Sequence, residues 1–337
     1  MKTAILFVLM MLVLVIPHEW GHMIVARWCG VRIKEFSVGM GPLIFKKQKK
    51  DTQYSLRLLP LGGYCMMEGE EEAVDSPTSY SSKTYPQKIA ILLAGVTMNV
   101  IIAVIAVSVA LWIGGALTNT LSGVSQGSPA AAAGLEAGDT IVAINGKDTP
   151  EWEDVIKAID GYKEGDAPLE VTYERGDSRN TVSVAPEYNE ERKAYMLGIT
   201  AGVTHNFFKT AIHGPAATWE LNKAMLQGFR MLFSGQLHKD DVAGPVGLVR
   251  VVDQASDYGV APYLMLLALV SLNLALFNLL PIPGLDGGKI FFILLKIISG
   301  GRINDDMEYK ATVVGMAVLL MLFVLITVND VMNLFGK

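Results

Sequence analysis

The sequence predicts a multi-pass α-helical membrane protein of about four transmembrane helices, with a membrane-associated β-hairpin region and one extracytoplasmic α+β domain. Three observations carry this. Of 337 residues, 51% are apolar and only 18% are charged, too greasy for a soluble chain of this length. Four apolar runs, 3–28, 89–117, 261–280 and 312–328, approach or exceed the roughly 20 residues that cross a hydrocarbon core. Between the second and third lies a long polar insert with turn signals and alternating segments. The net charge of -5 and the lack of a long basic run give no reason to expect nucleic acid as a partner. Cys29 and Cys65 form no CxxC pair, so both read as small buried hydrophobes.

The first element is a helix over 1–28. Lys2 ahead of an apolar run would also suit a signal peptide, but polar residues follow where a small-x-small cleavage site would stand, so the segment is kept as a span. Those residues are His18-Glu19-Trp20-Gly21-His22. On a helix, positions i and i+4 share a face, so His18 and His22 can grip one zinc ion. Glu19 can then lean over the open side of the metal and take a proton from water. Imidazoles and carboxylates inside a span are costly, on the order of a few kcal/mol for a charge at the bilayer centre, so they are seldom there without partners.

Residues 29–88 are expected on the cytoplasmic side, because seven basic residues stand between Arg27 and Lys50 against the single acid Glu35. Alternation over 31–38 and 54–58 predicts two or more β-hairpins beside the membrane. Leu59 to Tyr64 reads as a glycine-rich loop dipping toward the bilayer. Gly62, Gly63 and Tyr64 are candidate substrate-binding residues there, since an edge strand near the metal can hold an unwound peptide extended. Residues 68–88 form an acidic, Ser/Thr-rich linker. The second span, 89–117, carries Gly95, which permits close approach of another helix, and Asn99, an amide at membrane depth and a candidate to line the site.

The insert, 118–186, combines short strands, an Asn145-Gly146 turn and a helix near Trp152 to Ile159. Residues 187–260 read as an amphipathic, membrane-surface region, with His205, His213 and His238 as ordinary surface histidines. The third span and its continuation, 261–290, hold Asn278 and then break at Leu280-Pro281-Ile282-Pro283-Gly284 ahead of Asp286. Spans one and three run in the same direction, which places Asp286 level with His18 as a third ligand and leaves one position open for water. A cytoplasmic loop over 291–311, with Lys296, Arg302 and Lys310, precedes the last span, 312–334. The N-terminus and the insert are then extracytoplasmic.

Around Ala133-Gly134-Leu135-Glu136-Ala137-Gly138-Asp139 the insert resembles a bacterial-type PDZ domain, whose groove takes extended peptides and often free C-termini. Taken in order, the motif His18-Glu19-x-x-His22, Pro60-Leu61-Gly62-Gly63-Tyr64, Ala94-Gly95-x-x-x-Asn99, that domain, Gly244-Pro245-Val246-Gly247 and the run from Asn278 to Gly288 resemble the site-2 protease family. The likeness is to its bacterial members that act in regulated intramembrane proteolysis. It implies one zinc ion per chain on His18, His22 and Asp286, Glu19 as general base, and Asn278 at the substrate backbone or the developing oxyanion. Substrates would be transmembrane proteins in a bacterial inner or plasma membrane, such as anti-sigma factors or remnant signal peptides, cut after a first protease has shortened them. Val96 departs from a common proline and Met40 from a common aromatic residue. Two other classes are a membrane scaffold with a structural metal, for which Glu19→Gln leaves function intact, and a metal transporter, which would show metal flux.

Overall fold

The computed structural model describes residues 1–70, 74–234, 244–300 and 304–335. His238, Val242, Ala243 and Arg302 lie outside the described residues. The chain divides into two compact units, one made of Met1–Ala110 with Ala211–Lys337 and the other of Leu111–Thr210.

The first unit opens with α1 (Lys2–Trp28), an aliphatic run that stays helical through Pro17. Proline removes one donor, so the carbonyl of Val13 has no partner in the next turn. Strands β1 (Ile33–Lys49) and β2 (Thr52–Met67) follow and pair antiparallel from Lys49–Thr52 to Ile33–Met67. They make one long hairpin where the alternation predicted two or more, and Leu59 to Tyr64 runs inside β2 and is no loop. The reason is local: register shifts interrupt the pairing at several points, and Gly39 (φ 85°) and Gly62 (φ 91°) adopt left-handed backbone there. The ladder thereby continues past residues that read as breakers. Met23, Ala26, Val31, Ile33, Phe36, Cys65, Met67, Tyr80 and Ile91 form the core joining hairpin to helices. Cys65 is buried in it, while Cys29, just past the end of α1, is only partly covered.

Helix α2 spans Tyr85–Gly114. Past the second unit come α5 (Phe207–Phe233), α6 (Pro245–Asp257), α7 (Val260–Leu279), α8 (Asp286–Ile298) and α9 (Asp305–Phe335). Among the described residues, four helices are long and apolar enough to cross a bilayer: α1, α2, α7 and the segment Asp306–Met332 of α9. The loop expected over 291–311 is helical as far as Ile298, because the apolar run from Ile290 carries α8 onward, and helical again from Asp305, where α9 begins ahead of the expected start at 312. Tyr263 Oη donates to Leu6 O at 2.9 Å, and Lys2 Nζ donates to Asp257 at 3.1 Å, tying α1 to α7 and α6. Asp330 of α9 accepts from the backbone N–H of Gly244 (3.2 Å) and Gly247 (2.8 Å), satisfying donors that the start of α6 would leave bare.

In the second unit, β3 (Ala116–Val124), α3 (Pro129–Ala132), β4 (Thr140–Ile144), β5 (Lys147–Asp148), α4 (Trp152–Asp160), β6 (Leu169–Arg175), β7 (Ser178–Val184), β8 (Glu187–Asn189), β9 (Ala194–Met196) and β10 (Ile199–Thr204) follow in turn. The sheet order is β10-β3-β4-β6-β7, with β5 beside β4, and β8 pairs with β9 alone. The unit therefore runs past the expected end at 186, since β10 pairs with β3 and Leu197 lies in the same core as Leu121, Ile141, Val155 and Val171. Residues 187–204 are strands and turns, not the amphipathic stretch foreseen.

A buried carboxylate clips this unit together. The Asp139 side chain is 1% exposed and takes Arg175 Nε at 2.7 Å, Arg175 Nη2 at 2.8 Å and the Glu136 N–H at 2.9 Å. Hydrogen bonds from Arg175 hold its carboxyl below the usual range, outweighing burial, which pushes the other way. A depressed folded-state pKa gives stability that is present above the unfolded value of about 4 and is lost as pH falls through the folded value. Asp139→Asn is expected to cost this unit about 2 kcal/mol at neutral pH and to flatten its acid sensitivity. Hydrogen exchange at amides 134–145 of the full chain, followed from pH 6 downward, checks both.

Candidate metal centre

Four-residue spacing on α1 puts His18 and His22 on one face, 8% and 6% exposed. Their Nε2 atoms are 3.2 Å apart. Asp286 Oδ2 lies 3.5 Å from the first and 3.3 Å from the second. One ligand atom from each of the three residues falls within 4.8 Å of the others.

Asp286 reaches this point because α7 stops at Leu279 and α8 restarts at Asp286 after a break of six residues. Gly284 takes φ 100°, and the first turn of α8 folds against the break itself. A Cβ on Gly287 would lie 2.3 Å from Leu279 O, and one on Gly288 would lie 2.1 Å from Ile282 O. Only glycine fits at either place.

Helix α2 packs against both rings. A Cβ on Gly95 would stand 2.3 Å from His22 Nε2 and 2.8 Å from His18 Cε1, and one on Gly21 would stand 2.6 Å from Ala94 O. The two helices thus touch at backbone distance beside both rings. His22 Nδ1 donates to Ile91 O at 2.8 Å, which leaves its Nε2 as the lone-pair nitrogen. Asn99 is fully buried with Nδ2 3.3 Å from His18 Nδ1.

Glu19 is half-buried beside β2, where a Cβ on Gly63 would come 3.6 Å from Glu19 Cγ and 2.7 Å from Ser37 O. Gly62 and Tyr64 flank it in the strand, with the Arg57 guanidinium 5.3 Å from the Tyr64 ring centre. Asn278 sits half-buried in the last turn of α7 and makes no side-chain hydrogen bond among the described residues. His205 is exposed and His213 half-buried, and neither belongs to the cluster. Sequence reasoning missed the Ile91 carbonyl, which has no side-chain signature. It also missed Lys289, whose Nζ meets Glu70 Oε1 at 2.6 Å one turn beyond Asp286.

Do these residues fit a zinc ion? Asp286 Oδ2 is buried and finds no hydrogen-bond donor among the described residues, so a carboxylate oxygen is aimed at two imidazole nitrogens with nothing to satisfy it. Two imidazoles and one carboxylate are also a donor set that leaves zinc a free position. They fit.

A centre of this composition suits a zinc metalloprotease, and the family match makes the chain one. The model of peptidase family M50 matches residues 6–322, and the chain belongs to that family, the site-2 proteases. The regulator of sigma-W protease RasP of Bacillus subtilis is 28% identical, with 99% of each chain covered. A Clostridium acetobutylicum protein provisionally named a zinc metalloprotease is 32% identical over 95% of this chain and 94% of its own. Among solved structures, the PDZ domain of the SdrC-like protein from Listeria monocytogenes is 26% identical, with a TM-score of 0.23, covering 26% of this chain and 86% of that one.

Proposed function

We propose that this protein is an intramembrane protease, with His18, His22 and Asp286 as zinc ligands and Glu19 as general base. The observation that carries it is the meeting of those three side chains, two from α1, a helix long and apolar enough to span, and one from the start of α8 just past α7, beside a glutamate outside the ligand set. When bound, the zinc lowers the pKa of a water and polarises the scissile carbonyl. Glu19 accepts a proton from the attacking water and returns it to the departing amine. Asn278, whose amide has no hydrogen-bond partner among the described residues, steadies the oxygen of the tetrahedral intermediate. A substrate helix must unwind before its peptide bonds are exposed, and the β1–β2 hairpin, with Gly63 against Glu19, offers an edge on which the extended segment can lie. The sigma-W regulator named among the relatives supports membrane-bound anti-sigma factors as the substrate class. The second unit is read as an extracytoplasmic PDZ domain that admits substrates already shortened by another protease.

The test is cleavage of a transmembrane substrate in reconstituted vesicles, supplied both shortened and intact, before and after chelation. The shortened form is expected to be cut and the intact form spared, chelation to stop the reaction, and added zinc to restore it. Cleavage that survives removal of the metal, or zinc flux without cleavage, overturns the reading.

A further inference from the structure

Both rings of the centre need the same protonation pattern, with hydrogen on Nδ1 and the lone pair on Nε2, if both are to face Asp286 with a free nitrogen. For His22 the matter is settled by Ile91 O, which accepts from Nδ1 at 2.8 Å. For His18 the hydrogen-bond partner at Nδ1 among the described residues is the side-chain amide of Asn99, at 3.3 Å. The amide stands with its nitrogen toward the ring, and its oxygen is buried with no partner among the described residues. In that pose two donors would confront each other, or the His18 proton would be forced onto Nε2. Rotating the amide by half a turn costs nothing sterically, because its oxygen and nitrogen are nearly the same size. It then places Oδ1 where it accepts from His18 Nδ1–H.

We propose that Asn99 is a positioning residue, whose side-chain oxygen fixes the tautomer and ring plane of His18. Ile91, Gly95 and Asn99 are spaced by four and form one stripe of α2. Ile91 holds His22, Gly95 lets the helix touch both rings, and Asn99 holds His18. Asn99 is itself fixed, since its backbone carbonyl accepts from Ser271 Oγ of α7 at 2.7 Å. It is 0% exposed, which speaks for a role behind the histidine and against contact with substrate.

The inference rests on the reading of His18 as a ligand, so its test separates the two. Zinc affinity of the purified full chain is measured by competition with a chelator for the parent, Asn99→Leu, Asn99→Asp and His18→Ala. Loss of the acceptor in Asn99→Leu is expected to weaken zinc about 10–100-fold, whereas Asn99→Asp, which keeps an oxygen there, stays within about threefold of the parent. A leucine variant that binds zinc like the parent, or an aspartate variant as weak as the leucine one, overturns the positioning role. A His18→Ala chain with parental affinity would instead remove the ligand reading beneath it. The aspartate rescue also distinguishes a lost hydrogen bond from a chain that has simply lost its fold.

Discussion

Glu19→Gln is expected to lower kcat for a reconstituted transmembrane substrate by about 10³-fold or more while zinc stays bound at one per chain. Glutamine matches the shape of glutamate and keeps one acceptor oxygen but cannot take up a proton. Glu19 also lies outside the trio of His18, His22 and Asp286, so the ligand set is untouched. A loss of that size is about 4 kcal/mol of transition-state stabilisation and, falling on kcat, it is not an effect of substrate affinity. The outcome separates three classes at once. A scaffold would keep its function, a transporter would keep moving metal, and only a protease loses turnover with its metal retained. Turnover measured beside metal content decides it, and cleavage at the parental rate would falsify the assignment of the base.

The second large effect is expected at Gly95, a residue that takes no part in the chemistry. In Gly95→Ala the added methyl would sit 2.3 Å from Nε2 and 2.6 Å from Cε1 of His22, far inside contact distance. The rings cannot simply swing away, since His22 is anchored to Ile91 O and both Nε2 atoms must face Asp286. Either α2 moves out or the rings turn, and overpacking of this kind costs about 1–3 kcal/mol. Zinc affinity is expected to fall about 100-fold, since the α2 contacts that orient both rings are disturbed. Chelator competition and thermal unfolding together check it, and a variant with parental zinc affinity would contradict the close contact described above.

The parts of this molecule that were legible in the sequence are those whose signal is periodic. Spacing by four placed His18 and His22 on one face, and uninterrupted apolar runs marked the four long helices. The break ahead of Asp286 was readable as well, because Pro281, Pro283 and Gly284 cannot continue a helix and α7 stops at Leu279 just before them. What escaped was everything that depends on a partner. The hairpin looked like several because Pro42, Pro60 and their glycines read as stops, whereas bulges carry the ladder past them. Strand β10 was invisible as part of the insert, since its pairing with β3 links the two ends of that unit. The Ile91 carbonyl holding His22 belongs to the backbone and leaves no letter to read.

The long separation in sequence between the imidazoles and the carboxylate has a consequence for how the cell makes this enzyme. Asp286 is preceded by 285 of the 337 residues, so more than four fifths of the chain is made before the proposed ligand set can be complete. An intramembrane protease of the kind proposed would therefore stay inactive through most of its own synthesis and gain competence only once the start of α8 meets α1.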